Sequence, residues 1–283
     1  MKKKRPHKLS DKLPVLAAFI FCIIGVLGTQ LVSWVLSRVL HFAMPFVSAD
    51  TNPIAVLGVG VLALFLYKLW YKPEYTGAVV YSEYRKVWVV VAAYAVFFIY
   101  EIICLVMEHE TYRLTVNGFC TALYAGVLEE TVYRGFMIPV MMRKKRNIAA
   151  ALFVSSGVFG LVHGTNIFVG ADPLHTLIQV VTSFMLGIVL GGMFLFSGNI
   201  IVPIAIHTIH DILAIGVQSA VTEEGVVTAS VTVQTLIEDA ALVLLFAFVI
   251  YFIFKRKNKE AIHSVWDKKW KADSDNADAG GQQ

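Results

Sequence analysis

Three short groups of ionisable side chains interrupt stretches that otherwise read as lipid-spanning. They are Glu129, Glu130 and Arg134 in EETVYR, His163 in FGLVH, and His207 and Asp211 in HTIHD. A charge at the bilayer centre costs roughly 2.5–3.5 kcal/mol even on the lenient insertion scale, so intramembrane charges mark reaction centres or ion paths. A carboxylate beside an imidazole can take a proton from water for attack on a carbonyl. Glu129, His163 and His207 could instead hold a divalent metal such as zinc, which lowers the pKa of its bound water. Donors across the site would stabilise an oxyanion. Neither HExxH nor a paired-cysteine spacing is present, so chemistry with and without a metal both stay open.

Spacing divides the roles. Glu130 and Arg134 are four residues apart and share a helix face, which predicts an intrahelical ion pair. Glu129 is rotated by about 100° from Glu130 and is left to face another partner. His207 and Asp211 are also four apart and form one wall of a site. His210, three residues from His207, ranks below it as a contributor. His163 alone would read as a hydrogen-bonded core histidine, and its weight comes from the company it keeps. His175, beside a loop, reads as interfacial and structural. Cys22, Cys104 and Cys120 lie in apolar segments without paired spacing and read as small hydrophobic fillers.

The elements that must position these groups are membrane helices. Of the 283 residues, 57% are hydrophobic and only 16% charged, against about a quarter charged in soluble domains. Mean hydropathy is +0.69, and apolar runs of about 20 residues recur along most of the chain. The expected fold is an all-α integral membrane bundle of about eight transmembrane helices around an intramembrane polar site. The spans fall near 13–36, 54–71, 87–107, 114–142, 147–168, 174–196, 200–218 and 232–254. Asp50–Pro53 and Asp172–Pro173 are turn and helix-start signals. Gly58, Gly60, Gly187, Gly191 and Gly192 suit close helix packing. The apolar stretch after the basic N-terminus is too long for a signal-peptide core and reads as a retained first span.

Charge sets the orientation. With eight spans and a cytoplasmic N-terminus, 21 of the 24 Lys and Arg fall inside and only Arg38 and Arg113 outside, with Arg134 within a span. This bias predicts both termini in the cytoplasm. Residues 1–12 form a basic cytoplasmic N-terminus, 13–254 the multi-pass domain and 255–283 a cytoplasmic tail. Tyr67, Trp70, Tyr71, Tyr75, Tyr81, Tyr84 and Trp88 predict an interfacial aromatic belt. Ile262, Val265, Trp266 and Trp270 recur at helical spacing among lysines and predict a helix on the inner membrane surface, followed by a disordered ADSDNADAGGQQ end. Depth counting places Glu129 roughly 21 Å and His163 roughly 25 Å from the inner border, but His207 only about 12 Å from the Ser197–Asn199 turn. The three share a level only if that turn dips below the inner surface.

Taken in order, EExxxR, FxxxH and HxxxN/D, each on its own apolar helix, resemble the CPBP family of intramembrane proteases. That family includes the type II CAAX prenyl endopeptidases and bacterial Abi proteins linked to bacteriocin processing or self-immunity. The resemblance covers about residues 114–218. It implies that Glu129 and His163 activate the attacking water, that His207 and Asp211 border the oxyanion, and that Glu130 and Arg134 support the site. Asp211 departs from an asparagine at the last position, because an ionised carboxylate cannot donate to an oxyanion. A protonated Asp211, an Asp211 that orients His207, and an Asp211 that helps bind a metal all stay open. The family's metalloprotease label does not decide whether zinc, another divalent metal or none is used.

The expectation is therefore an intramembrane endopeptidase in a prokaryotic cell membrane, acting on a membrane-associated peptide or protein. A role in peptide maturation, signalling or bacteriocin immunity follows, with the lipid bilayer and no nucleic acid among its partners. Two alternatives differ in kind: a proton-coupled transporter, since intramembrane Glu, His and Arg also build relays, and a non-catalytic immunity or scaffold protein. The absence of repeated halves argues against the transporter. The chemistry of Glu129 separates all three.

Overall fold

The computed structural model describes residues 13–43, 58, 84–107, 112–145, 147–224 and 233–279, and every regular element among them is helical. In chain order these are α1 (Pro14–Ala43), α2 (Tyr84–Met107), α3 (Val116–Glu130), a π-helical segment (Thr131–Met137), α4 (Ile138–Lys145) and α5 (Ile148–His163). There follow a 3-10 segment (Gly164–Val169), α6 (Pro173–Ser197), α7 (Ile201–Glu224), α8 (Val233–Phe254) and α9 (Arg256–Ala279).

Local chemistry sets several boundaries. The Thr115 hydroxyl accepts from the Gly118 N–H at 2.9 Å and caps α3, and Asn147 Oδ1 accepts from the Ala150 N–H at 3.0 Å at the start of α5. Asp172 caps α6 through the His175 N–H at 2.9 Å, with Pro173 opening the helix as expected from Asp172–Pro173. That N–H bond holds the exposed Asp172 carboxyl below the usual carboxylate range. At the other end of α6, Gly198 adopts φ 59°, a left-handed conformation that favours glycine, and its N–H returns to the Phe194 carbonyl at 2.7 Å.

Helix α6 is the centre of the bundle. Its second half, Met185–Ser197, is buried throughout, and α2, α5, α7, α8 and α9 all pack on it. Small residues let the backbones approach. A Cβ built on Gly187 would lie 2.9 Å from Ser156 Cβ, and one on Gly191 2.7 Å from Leu152 Cδ1, both on α5. A Cβ on Gly192 would lie 2.9 Å from Ile253 Cδ1 on α8. Close packing is thus the role of these three glycines. Gly58 lies at a surface and Gly60 is outside the described residues.

Among the described residues, three helical stretches are long and apolar enough to cross a membrane by length and composition: Tyr84–Met107, Ile148–Phe168 and Pro173–Ser197. Ile201–Val217 and Asp239–Phe254 are shorter apolar helices. The first expected span is helical and runs on to Ala43, with Leu27, Leu31 and Trp34 exposed on its apolar surface. Span 54–71, apart from Gly58, lies outside the described residues. So do Asp50–Pro53 and the belt aromatics Tyr67, Trp70, Tyr71, Tyr75 and Tyr81.

Two expectations are modified by packing. The span expected at 114–142 is helical, but its middle widens into the π-helical segment, all seven residues of which are buried. Such widenings are frequent at functional sites. In α9, the apolar face does not lie open to a membrane surface: Ile262, Val265 and Trp266 are buried in the protein. The Trp266 indole donates to the Leu195 carbonyl at 3.1 Å and packs edge-on to Phe194. The helix also continues to Ala279, into the stretch expected to be disordered. The side chain of Trp270 is outside the described residues. Ser197 and Asn199, the turn that depth counting required to lie deep, are 1% and 8% exposed.

Candidate active site

The end of α3 and the first turns of α7 meet where glycine allows it. A Cβ on Gly126 would lie 3.1 Å from the Thr208 backbone nitrogen and 3.3 Å from the Ile204 carbonyl oxygen, and would press on the Thr208 hydroxyl. Backbone-to-backbone contact at this crossing brings the carboxylates one turn beyond Gly126 opposite His207.

Glu130 is the buried floor of the site. Its Oε1 accepts from Arg134 Nη1 at 2.7 Å, which is the ion pair expected from the four-residue spacing. The same oxygen lies 2.8 Å from His207 Nδ1. Glu130 therefore also fixes a histidine on another helix, a link that spacing along one helix cannot give. Arg134 is likewise fully buried; its Nη2 donates to the Gly187 carbonyl at 3.3 Å, and its guanidinium lies 4.5 Å from the centre of the Phe159 ring.

His207 is the hinge between floor and rim. Because an ionised Glu130 only accepts hydrogen bonds, Nδ1 carries a proton and donates to it. Nε2 then points the other way, 3.7 Å from Glu129 Oε2 and 3.5 Å from Asp211 Oδ1. The Glu129 and Asp211 side chains are 28% and 20% exposed, whereas His207 is 4% exposed. The site thus has a sealed, ion-paired base and a rim of two partly open carboxylates. His163, the last residue of α5 and half-buried, reaches this group through Phe159. Its ring centre is 5.3 Å from that of Phe159, which in turn is 5.6 Å from His207.

The remaining histidines go elsewhere. His210 turns towards α2, where Nδ1 is 3.1 Å from the Tyr94 hydroxyl and 3.9 Å from Glu101 Oε2. His175 sits with Asp172 at the exposed start of α6, 3.3 Å apart. Sequence reasoning passed over Glu101 and Phe159. Glu101 carried the same signal as the others, a carboxylate inside an apolar span. Phe159 stood in a quoted motif without a role, since a phenylalanine in an apolar helix has no distinguishing signal.

Glu129, His163 and His207 are the donors expected to hold a divalent metal, if one binds. Among the described residues no three His, Cys, Asp or Glu side chains converge as metal ligands. His207 Nδ1 is committed to Glu130, and its Nε2 is the one ring nitrogen left for a rim ligand. A histidine that ligates a metal through one ring nitrogen donates from the other to a carboxylate in this same way, so the bond to Glu130 does not decide between a metal and none.

Residues 111–213 match the family model described as type II CAAX prenyl endopeptidase Rce1-like. This segment is similar to that family. It covers about a third of the chain and contains Glu129, Glu130, Arg134, His163, His207 and Asp211, ending two residues beyond the last. Its limits nearly coincide with the 114–218 core drawn from the motifs. No curated protein and no solved structure matches the chain. The Rce1-like match supports a protease of the type II CAAX kind, and with the apolar helices it supports a membrane protein.

Proposed function

We propose that the protein is an intramembrane endopeptidase that hydrolyses a membrane-associated peptide or protein by general-base activation of water. The observation that carries this reading is the two-sided imidazole of His207. One nitrogen is locked by the buried Glu130–Arg134 pair and the other is presented to Glu129 and Asp211 at the rim.

Glu129 takes a proton from a water held between it and His163. The water oxygen forms a bond to the scissile carbonyl carbon, and the carbonyl π pair moves onto oxygen. His207, as an imidazolium, donates to Glu130 from Nδ1 and to the oxyanion from Nε2. Asp211 orients that Nε2–H from the same helix face. Collapse of the intermediate breaks the C–N bond, and the proton on Glu129 passes to the leaving amine. Glu130 and Arg134 act through His207 and are positioning residues.

The substrate class follows from the similarity to type II CAAX prenyl endopeptidases: a C-terminal peptide carrying a prenyl group is the first probe, with other membrane-anchored peptides next. An eight-span bundle in a prokaryotic membrane, with both termini in the cytoplasm, remains the topology proposed from charge. The test is cleavage of a prenylated reporter peptide by protein reconstituted in liposomes. Glu129→Gln is expected to lower kcat by roughly 10²–10⁴-fold, the range of general-base contributions. Wild-type cleavage that Glu129→Gln leaves unchanged would remove Glu129 from the mechanism.

A further inference from the structure

We propose that Phe159 is a positioning residue whose ring sets the placement of His163, His207 and Arg134. The ring is 2% exposed and surrounded by members of the site. The Arg134 guanidinium lies 4.5 Å from its centre. The His163 ring stands 5.3 Å away at 84°, and the His207 ring 5.6 Å away at 86°. Tyr133, beside Arg134 in the π-helical segment, packs at 5.2 Å and 61°.

The backbone around the ring is held as tightly as the ring itself. A Cβ on Gly187 would lie 3.2 Å from Phe159 Cδ1, and the Gly187 carbonyl is the one that accepts from Arg134. A Cβ on the adjacent Gly160 would lie 2.6 Å from the Val180 carbonyl oxygen, so α5 and α6 are in contact at this level. Phe159 is therefore boxed between α6 and the site.

The physics of the ring fits the neighbours. A phenyl group has a negative face and a positive edge, so a cation is drawn over the face and aromatic rings prefer edge-to-face approach. Phe159 has no proton to give or take and acts only through the groups it touches. On α5 it precedes His163 by four residues and so shares its face. It also reaches His207 on α7, and thus spans the gap between a histidine assigned to the water side and one assigned to the oxyanion side.

The kinetic part of this inference rests on the hydrolase reading, so the experiment has two arms. In the first, histidine-labelled protein in nanodiscs is compared as wild type and Phe159→Leu by NMR. The imidazole resonances of His163 and His207 are expected to move, and those of the distant, exposed His175 to stay. Unmoved His163 and His207 resonances would overturn the proposal, whether or not the protein cleaves anything.

In the second arm, Phe159 is replaced by mono-, di- and trifluorophenylalanine, which keep the ring's shape while weakening the negative face. Cleavage of the prenylated reporter is expected to show a stepwise fall in kcat, reaching roughly tenfold with little change in KM. A flat kcat across the series would overturn the electrostatic role of the face and leave Phe159 an apolar filler. The fluorinated series keeps the proposal testable if Phe159→Leu fails to fold. Absence of cleavage by the wild type would count against the hydrolase reading instead, and the NMR arm would still decide the positioning claim.

Discussion

Burial separates the two neighbouring glutamates. Glu130 is sealed and bonded on one oxygen by both Arg134 and His207, whereas Glu129 is partly open. Removing one member of a buried ion pair strands the other charge and costs about 3–5 kcal/mol. Arg134→Met is therefore expected to lower the thermal midpoint sharply in detergent, with Glu130→Gln also destabilising. Glu129→Gln should unfold close to the wild-type temperature. Equal midpoints for Arg134→Met and Glu129→Gln would contradict this division. The Glu130–Arg134 pair was legible from a four-residue spacing. The bond from Glu130 to His207 was not, because it joins positions 77 residues apart. Only the packing of α3 on α7 brings them together.

Helix crossings convert those side chains into a site. Gly126 lets α3 touch the backbone of α7, and a side chain there would meet atoms of Ile204 and Thr208 that cannot all move aside. Gly126→Ala is expected to cost about 1–3 kcal/mol by overpacking and to reduce cleavage further by moving His207 away from Glu130. Adding Thr208→Ala removes the hydroxyl in the way but leaves the backbone contacts, so it should restore part of both losses. A double-mutant cycle on stability and kcat measures this coupling. Strictly additive effects would place the crossing elsewhere. The long apolar runs made α5, α6 and α7 legible as helices, and Asp172–Pro173 marked the start of α6. The π-helical segment was hidden, since Gly135 in TVYRGFM is a residue common in membrane helices and gives no sign of a π turn; all seven residues are buried.

For the whole molecule, composition made the class legible: an all-helical protein with apolar helices. The packing of α9 under α6 was less legible, because apolar residues at helical spacing look alike whether a membrane surface or a protein surface covers them. Here the end of α6 covers them, and the Ser197–Asn199 turn is buried in consequence. His207 and Glu129, which counting from the turn alone had set apart, lie 3.7 Å from each other. In the proposed reading a substrate would meet the site at the partly open rim of Glu129 and Asp211.

Proteolysis that depends on Glu129 can be tested without knowing the substrate. Terminal-peptide mass spectrometry would compare cells carrying the wild-type chain with cells carrying Glu129→Gln at matched membrane expression. New protein termini, from membrane-associated proteins, are expected with the wild type alone. Identical termini in both, with the biological phenotype preserved in the mutant, would contradict this expectation and make the protein a non-catalytic membrane component.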